Sequence, residues 1–250
     1  MNYLTNLDSM KPKGKFTSDM VELLDQPYKC DYCNRKFIGE RTLINHMCEP
    51  KRRILQKNEK RVQAGFVAFT KFFKMFSPKA KEKTYEDFCD SPYYNAFVKF
   101  GSHITNLKVL YPDNFINYLI TKNVKLDHWC KDSIYEEYLV DILKNESAEN
   151  ALERTIKTME KWASDNNAHF EHYFLYATSN RVTNDILYGN VSCWVVLNTD
   201  SGKSMIQKLS DEQLMIISNI LDIKYWLKKF KEQPADFQLI IEVCKELKIK

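Results

Sequence analysis

The chain has 250 residues, 44% of them hydrophobic and 28% charged, with a formal net charge of +4 at pH 7. This composition belongs to a globular protein long enough to bury a sizeable core, organised as one main domain with a small appendage. No apolar run approaches the roughly 18 residues of a membrane span and the N-terminus MNYLTNLDSMKPKGK lacks a signal-peptide core, so a soluble cytoplasmic protein without a membrane partner is expected.

The first segment, residues 1–27, places Lys11, Lys13 and Lys15 around Pro12 and Gly14, which reads as a flexible basic arm. Thr17 or Ser18 then caps a short helix carrying Met20, Val21, Leu23 and Leu24. Pro27 ends the segment and opens a hairpin.

The stretch from Cys30 to Cys48, CDYCNRKFIGERTLINHMC, organises the rest. Cys30 and Cys33 are separated by two residues, then twelve more lead to His46, with Cys48 just beyond. Two thiols, an imidazole and a further thiol in this spacing are the donor set of a tetrahedral zinc site. A peptide of about 25 residues cannot bury enough apolar surface to fold unaided, so ligation supplies the free energy, roughly 10–16 kcal/mol for structural zinc. The reading puts Tyr32 and Cys33 on a hairpin, Arg35, Lys36 and Phe37 on its return strand, and a helix from Gly39 or Glu40 that ends in His46.

Residues 28–48 resemble a C2H2 zinc finger, with Phe37 and Leu43 at that family's two apolar core positions. The chain departs from the family in one respect. Where a second His belongs it has Pro50 and Lys51, and Cys48 takes the fourth place, giving a C2HC variant. On a continuous helix His46 and Cys48 would point about 200° apart, so the helix must unwind near Met47, and Pro50 is consistent with such a break. The resemblance implies that Gly39, Thr42 and Asn45 face nucleic-acid bases, with Arg41 beside them; Asn45 would pair with adenine and Arg41 with guanine or phosphate. One finger reads about three base pairs, so a lone one is either helped by a basic extension or serves as a structural, protein-contacting module.

Beyond the finger, residues 51–77 read as one long helix leading into an all-helical domain that runs from 51 to 250. Its first turns hold Lys51, Arg52, Arg53, Lys57, Lys60 and Arg61, either a phosphate-contacting face or a solvated one. Its later part repeats Val62, Phe66, Phe69, Phe73 and Phe76 at helical spacing, which is a core stripe. Charge shows the same division: residues 1–80 hold 16 Lys and Arg against 8 Asp and Glu, whereas 81–250 hold 21 against 25. A basic N-terminal third is the footprint of a segment that meets phosphate, although a solvated linker gives the same count.

Ser77 and Pro78 end that helix, and capping and proline signals then mark further helices at Thr84 with Asp87, 92–110, 112–122, 127–143 and 147–165. Ser210 with Gln213 makes a capping box, and Pro234 starts a last helix through Leu247. Only Val191 to Leu197 is apolar enough for a short strand, and seven residues do not decide between a strand and a buried turn. Cys89, Cys130, Cys193 and Cys244 are scattered singly, as small core residues of a reducing compartment are.

Other constellations carry less. Gly202-Lys203-Ser204 ends like a phosphate loop, but Leu197 stands where that loop needs a glycine. His169 and His172, with His128 and Cys130, would form a metal site only if the fold gathered them, and Glu136, Glu137 and Asp141 read as a solvated helix face. No nucleophile signature occurs, so no catalytic residue is assigned and the balance leans against an enzyme. The stretches HWCKDSIYEEYLVDIL and SCWVVLNTDSG are similar to uncharacterised proteins of T4-like tailed phages, which implies a cytoplasmic phase in an infected bacterium.

The expectation is a mainly α protein in which a zinc-bearing ββα finger meets DNA or RNA. Contacts fall on Arg41, Thr42, Asn45, Lys51, Arg52, Arg53, Lys57, Lys60 and Arg61, chiefly to phosphate and with little sequence discrimination. The alternative is an assembly or adaptor protein in which zinc only rigidifies a protein-contact knob.

Overall fold

The chain's architecture comes from a computed structural model that describes residues 28–249. The basic arm and short helix expected within residues 1–27 lie outside the described residues. Fifteen α-helices and a single two-stranded hairpin make up the described part, a mainly α fold with a small ββ unit. The chain divides into two compact units, with the boundary between Ser102 and His103.

The first unit begins with strands β1 (Tyr28–Lys29) and β2 (Lys36–Phe37), antiparallel with Tyr28 opposite Phe37. Helices α1 (Glu40–Ile44), α2 (Glu49–Leu55), α3 (Lys60–Phe76), α4 (Tyr85–Asp90) and α5 (Tyr94–Leu107) come next, the unit boundary falling inside α5. The single helix expected over 51–77 is two helices: a 3₁₀ turn at Gln56–Asn58 ends α2, and Glu59, in extended conformation, starts α3. The Glu59 carbonyl accepts from Val62 and Gln63, and the Gln63 side-chain amide takes the Lys57 carbonyl freed by the turn. Helical propensity alone does not foresee this, because the break is repaid by tertiary contacts on both sides.

Those contacts form an aromatic core. Val62 and Phe69 of the expected stripe are buried, and Phe66 and Phe73 are half-buried. Phe76, at the end of the stripe, is 59% exposed. Phe88 of α4 meets Phe66, Phe69 and Tyr94, with centroid separations of 5.6, 5.0 and 4.7 Å. Each fully buried ring is worth about 1.5–3 kcal/mol of transfer free energy. Helices α3 and α5 cross backbone to backbone: a Cβ built on Gly65 would come within 2.6 Å of the Phe97 carbonyl, and one on Gly101 would run into the Arg61 carbonyl. Only glycine permits that approach.

The second unit runs through α6 (Pro112–Thr121), α7 (Asp132–Asn145), α8 (Ala148–Asn166), α9 (Tyr173–Tyr176), α10 (Ser179–Leu187), α11 (Cys193–Val196), α12 (Asp200–Gln207), α13 (Asp211–Ile217), α14 (Ile223–Glu232) and α15 (Pro234–Glu246). At its centre α11 buries all four of its residues and contacts α8, α12 and α15. The apolar run that periodicity leaves open between strand and buried turn is therefore a helix. A lone strand among helices would leave buried N–H and C=O groups unpaired, whereas a helical turn satisfies itself, and here the Ser192 hydroxyl caps it by accepting from the Trp194 amide at 3.3 Å. Trp129, Trp194 and Trp226 are almost fully enclosed.

The same unit holds buried charge. The Arg154 guanidinium forks onto the Glu146 carboxylate, the side chains being 11% and 3% exposed. Lys229, 7% exposed, lies over the Trp194 and Trp226 rings and donates to the Lys144 carbonyl at the end of α7. Burial holds its amine below the ordinary lysine range. Cys89, Cys193 and Cys244 are core residues as expected, whereas Cys130 is half-buried, and burial pushes the Cys244 thiol up to about 11.

Candidate metal centre

The hairpin and the end of α1 build one site. Between the strands the Cys30 amide donates to the Arg35 carbonyl at 2.9 Å and the Asn34 amide to the Cys30 carbonyl at 2.8 Å, with Asn34 at φ 60°. Asn is among the few residues that adopt this left-handed conformation readily, and it tightens the turn so that Cys30 and Cys33 face the same side.

His46 and Cys48 arrive by a route that differs from the expected one. Helix α1 stops at Ile44, two residues before His46, rather than running through it and unwinding near Met47. Asn45 caps the helix, and Cys48 is extended at φ −85° and ψ 165°. In extended chain, residues i and i+2 share a side while the one between points away. Accordingly His46 and Cys48 are half-buried and Met47 is 58% exposed. Pro50 lies in the first turn of α2, where its missing N–H costs nothing.

The donor atoms of Cys30, Cys33, His46 and Cys48 all lie within 4.8 Å of one another. The Cys30 and Cys48 sulfurs are 3.9 Å apart, and the Cys33 sulfur is 3.2 Å from His46 Nε2. Zinc bonds of about 2.3 Å to sulfur and about 2.0–2.1 Å to nitrogen require tetrahedral edges of about 3.8 Å for S···S and about 3.6 Å for S···N. The first matches and the second is slightly contracted. A sulfur pair at 3.9 Å is also far beyond disulfide length, so the four side chains can hold a metal ion and suit zinc. Among the described residues no other group of three or more such side chains gathers, and His169 and His172 instead pack ring against ring at 5.9 Å in a 3₁₀ turn.

Local electrostatics favour a thiolate at one position. Burial acts to raise the Cys30 thiol, but backbone amides of Cys33 and Tyr32 and the neighbouring thiols outweigh it, so its pKa falls below the ordinary value. At Cys33 the Arg35 amide pulls down, while burial and the adjacent Cys48 and Cys30 sulfurs push harder, and the pKa rises. A shared cation resolves that competition, since it favours deprotonation of both.

Apart from ligation the finger has little to hold it. Phe37 packs on the His46 ring at 4.7 Å under the Arg35 guanidinium, Leu43 is half-buried, and no residue of α1 or α2 is fully buried. Lys51 donates to the His46 carbonyl at 3.2 Å and so ties α2 to the ligand segment.

The cations expected to meet phosphate are disposed unevenly. Arg41, Thr42 and Asn45 stand exposed on the finger, and Lys60 is exposed at the start of α3. Arg53 is only 17% exposed, and its guanidinium bonds Glu49 and the Cys89 carbonyl and lies 4.4 Å from the Tyr94 ring centroid, while its own carbonyl accepts from Tyr85. It docks α2 onto α4 and α5. Arg52 pairs with Glu49, Arg61 with Glu59, and Lys57 sits over the Tyr85 ring. What the sequence presents as one cationic run is thus partly spent inside the unit. The acidic partners Glu49 and Glu59 are visible in the sequence, but the aromatic partners come from over 25 residues away.

In the second unit Lys203 lies on α12, whose N-terminus is capped by the Thr199 hydroxyl, and Gly202 is buried against Val196. This is a helix start and not a phosphate loop. No helix among the described residues is long and apolar enough to cross a membrane. Comparison of the chain with protein families, with curated proteins and with solved structures finds no match, so the similarity to phage proteins has no relative behind it and the centre stands on its own geometry.

Proposed function

We propose that the ion held by Cys30, Cys33, His46 and Cys48 is zinc, and that the finger it rigidifies binds nucleic acid, mainly through phosphate and with little base discrimination. The observation that carries this is the exposed finger surface, on which Lys29, Arg35, Lys36, Arg41, Thr42 and Asn45 all face solvent around a helix with no buried residue. Such a short helix cannot fill a major groove over several base pairs, which is why phosphate rather than base edges dominates the reading. Arg53 does not join the contact set because its half-buried guanidinium is engaged by Glu49, the Cys89 carbonyl and the Tyr94 ring.

The test is binding of duplex DNA and of RNA measured by fluorescence anisotropy from about 50 mM salt upward, where phosphate contacts make log K fall linearly with log salt. Lys36→Glu with Arg41→Glu is expected to weaken binding and flatten that slope by about 0.9 per lost contact on duplex DNA. Undetectable binding at the lowest salt refutes the proposal.

A second reading has its own support. Ile38, Ile44 and Met47 are 86%, 66% and 58% exposed on the same small module, an unusual apolar display for a surface. On that reading the finger is a protein-contact knob, and a partner complex surviving nuclease treatment but weakened by Ile38→Asp separates it from the first.

A further inference from the structure

A basic concavity of the first unit lies away from the finger, at the far end of α3. There the C-terminal half of α3 and the loop after it enclose a cleft of about 600 Å³, lined by Lys71, Lys74, Lys81 and Lys83 with Phe73 and the single acid Glu82. We propose that this cleft binds single-stranded nucleic acid, its lysines tracking the phosphates and Phe73 presenting an apolar wall to a base or sugar. The inference rests on the nucleic-acid reading of the finger and gives it a second, separate contact site.

Three observations converge on it. The volume lies within the roughly 300–1,000 Å³ of sites that enclose small organic groups, so the cleft admits nucleotide-sized pieces rather than isolated ions. Its cations are available: Lys74 and Lys81 are exposed and, among the described residues, have no carboxylate within ion-pair distance, in contrast to Arg52, Arg53 and Arg61 of the run nearer the finger. Its wall is aromatic, with the Lys83 ammonium 5.6 Å from the Phe73 centroid and Phe73 itself braced on Phe69 at 4.7 Å. Cationic side chains alternating with a rigid ring are what sequence-tolerant recognition of an unpaired strand requires, because every base has a face to stack and every nucleotide a phosphate.

The cleft also has an end. Past Phe73 and Lys83 the surface dips into a second hollow of about 260 Å³ that includes Asp87 and Asp90. Those carboxylates repel phosphate, so a strand seated over Lys71 and Lys74 is turned out at Lys83 and does not continue. A double helix, twice as wide and with its bases covered, gains only rim contacts.

The experiment uses the full chain, zinc-loaded, with labelled oligothymidylate of about 12 nucleotides, a length within the range of known single-strand sites. Lys74→Glu with Lys81→Glu is compared with the finger variant Lys36→Glu with Arg41→Glu, and hydrogen exchange at the Val62 and Phe88 amides, together with zinc content, confirms that the first unit of each is folded. The expected result is a loss of at least about tenfold in affinity for the oligomer in the cleft variant and a salt slope smaller by about 0.7 for each lysine removed, with the finger variant less affected. An abasic oligomer of equal length should bind the wild type at least about tenfold more weakly, which marks the part played by Phe73. Unchanged oligomer binding in the cleft variant overturns the inference, and if the finger variant has meanwhile lost it, the finger reading stands alone. Equal affinity for the abasic strand also overturns it, leaving a surface that attracts any polyanion. A wild-type chain that binds neither duplex nor single strand removes both proposals together.

Discussion

The finger and the second unit solve the same problem by opposite means. In the second unit three tryptophans are almost fully enclosed and a whole helix, α11, disappears into the interior, so apolar burial carries the fold. In the finger, among the described residues, Cys30 is the one residue fully buried, and it is a metal-ligand candidate. Stability there is concentrated in four donor atoms; in the second unit it is spread over dozens of contacts. Concentrated stability can be switched off by one small molecule, and distributed stability cannot.

Metal removal should therefore have the largest effect. A chelator, or Cys33→Ser, should remove the roughly 10–16 kcal/mol that structural zinc supplies to a finger and unfold residues 28–48 while the second unit persists. All four tryptophans lie in the second unit, so their fluorescence reads that unit alone, while hydrogen exchange at the Cys30 and Asn34 amides reads the hairpin. Loss of hairpin protection with an unchanged tryptophan signal is the expected pair of results. Protection that survives metal-free conditions would mean that Phe37, Leu43 and the His46 ring are core enough, and the contrast between the two regions would fail.

The sequence disclosed these two regions to very different depths. Ligand spacing is local, so Cys30, Cys33, His46 and Cys48 could be named without any tertiary knowledge, and so could the capping boxes at Thr84 and Ser210, which the structure forms. The path between His46 and Cys48 was less legible, because a 200° conflict can be relieved by ending the helix at several places and the chain ends it at Ile44. The break at Gln56–Asn58 was hidden, since it is fixed by what Arg53 and Val62 meet elsewhere. Charge was the most misleading signal: Arg53 and Lys74 read alike in a sequence, yet one is wedged beneath Tyr94 and the other faces solvent.

An intermediate effect tests the second unit from within. Arg154→Met leaves the Glu146 carboxylate, 3% exposed, without its ionic partner, and breaking a buried pair on one side costs about 3–5 kcal/mol. Burial alone would lower the Arg154 pKa, but the Glu146 carboxylate raises it, so the guanidinium keeps its charge inside the unit. Urea unfolding monitored by tryptophan fluorescence should show the loss, with hairpin protection in the zinc-loaded protein untouched. Should the variant melt like the wild type, the pair is incidental and the second unit is held by its apolar core alone.

The smallest effect separates the units by pH rather than by depth of burial. Helix α4 in the first unit starts with a charged capping box, Thr84 with Asp87, whereas α13 in the second starts with a neutral one, Ser210 with Gln213. The Thr84 amide, which donates to the Asp87 carboxylate at 2.8 Å, holds that carboxyl below its ordinary 3.8 against the opposing effect of burial, with Lys83 and Lys81 assisting. A depressed folded-state pKa means that the carboxylate contributes stability above about 3.8 and that this contribution is lost as pH falls through the folded value. Acidification below 3.8 should therefore loosen the start of α4 before that of α13, seen as faster exchange at the Asp87 amide than at the Gln213 amide. Asp87→Asn should abolish the difference in pH response, and Ser210→Ala should instead weaken α13 by about 1 kcal/mol equally at every pH. Parallel acid responses at the two helix starts would place the pH sensitivity of the first unit elsewhere.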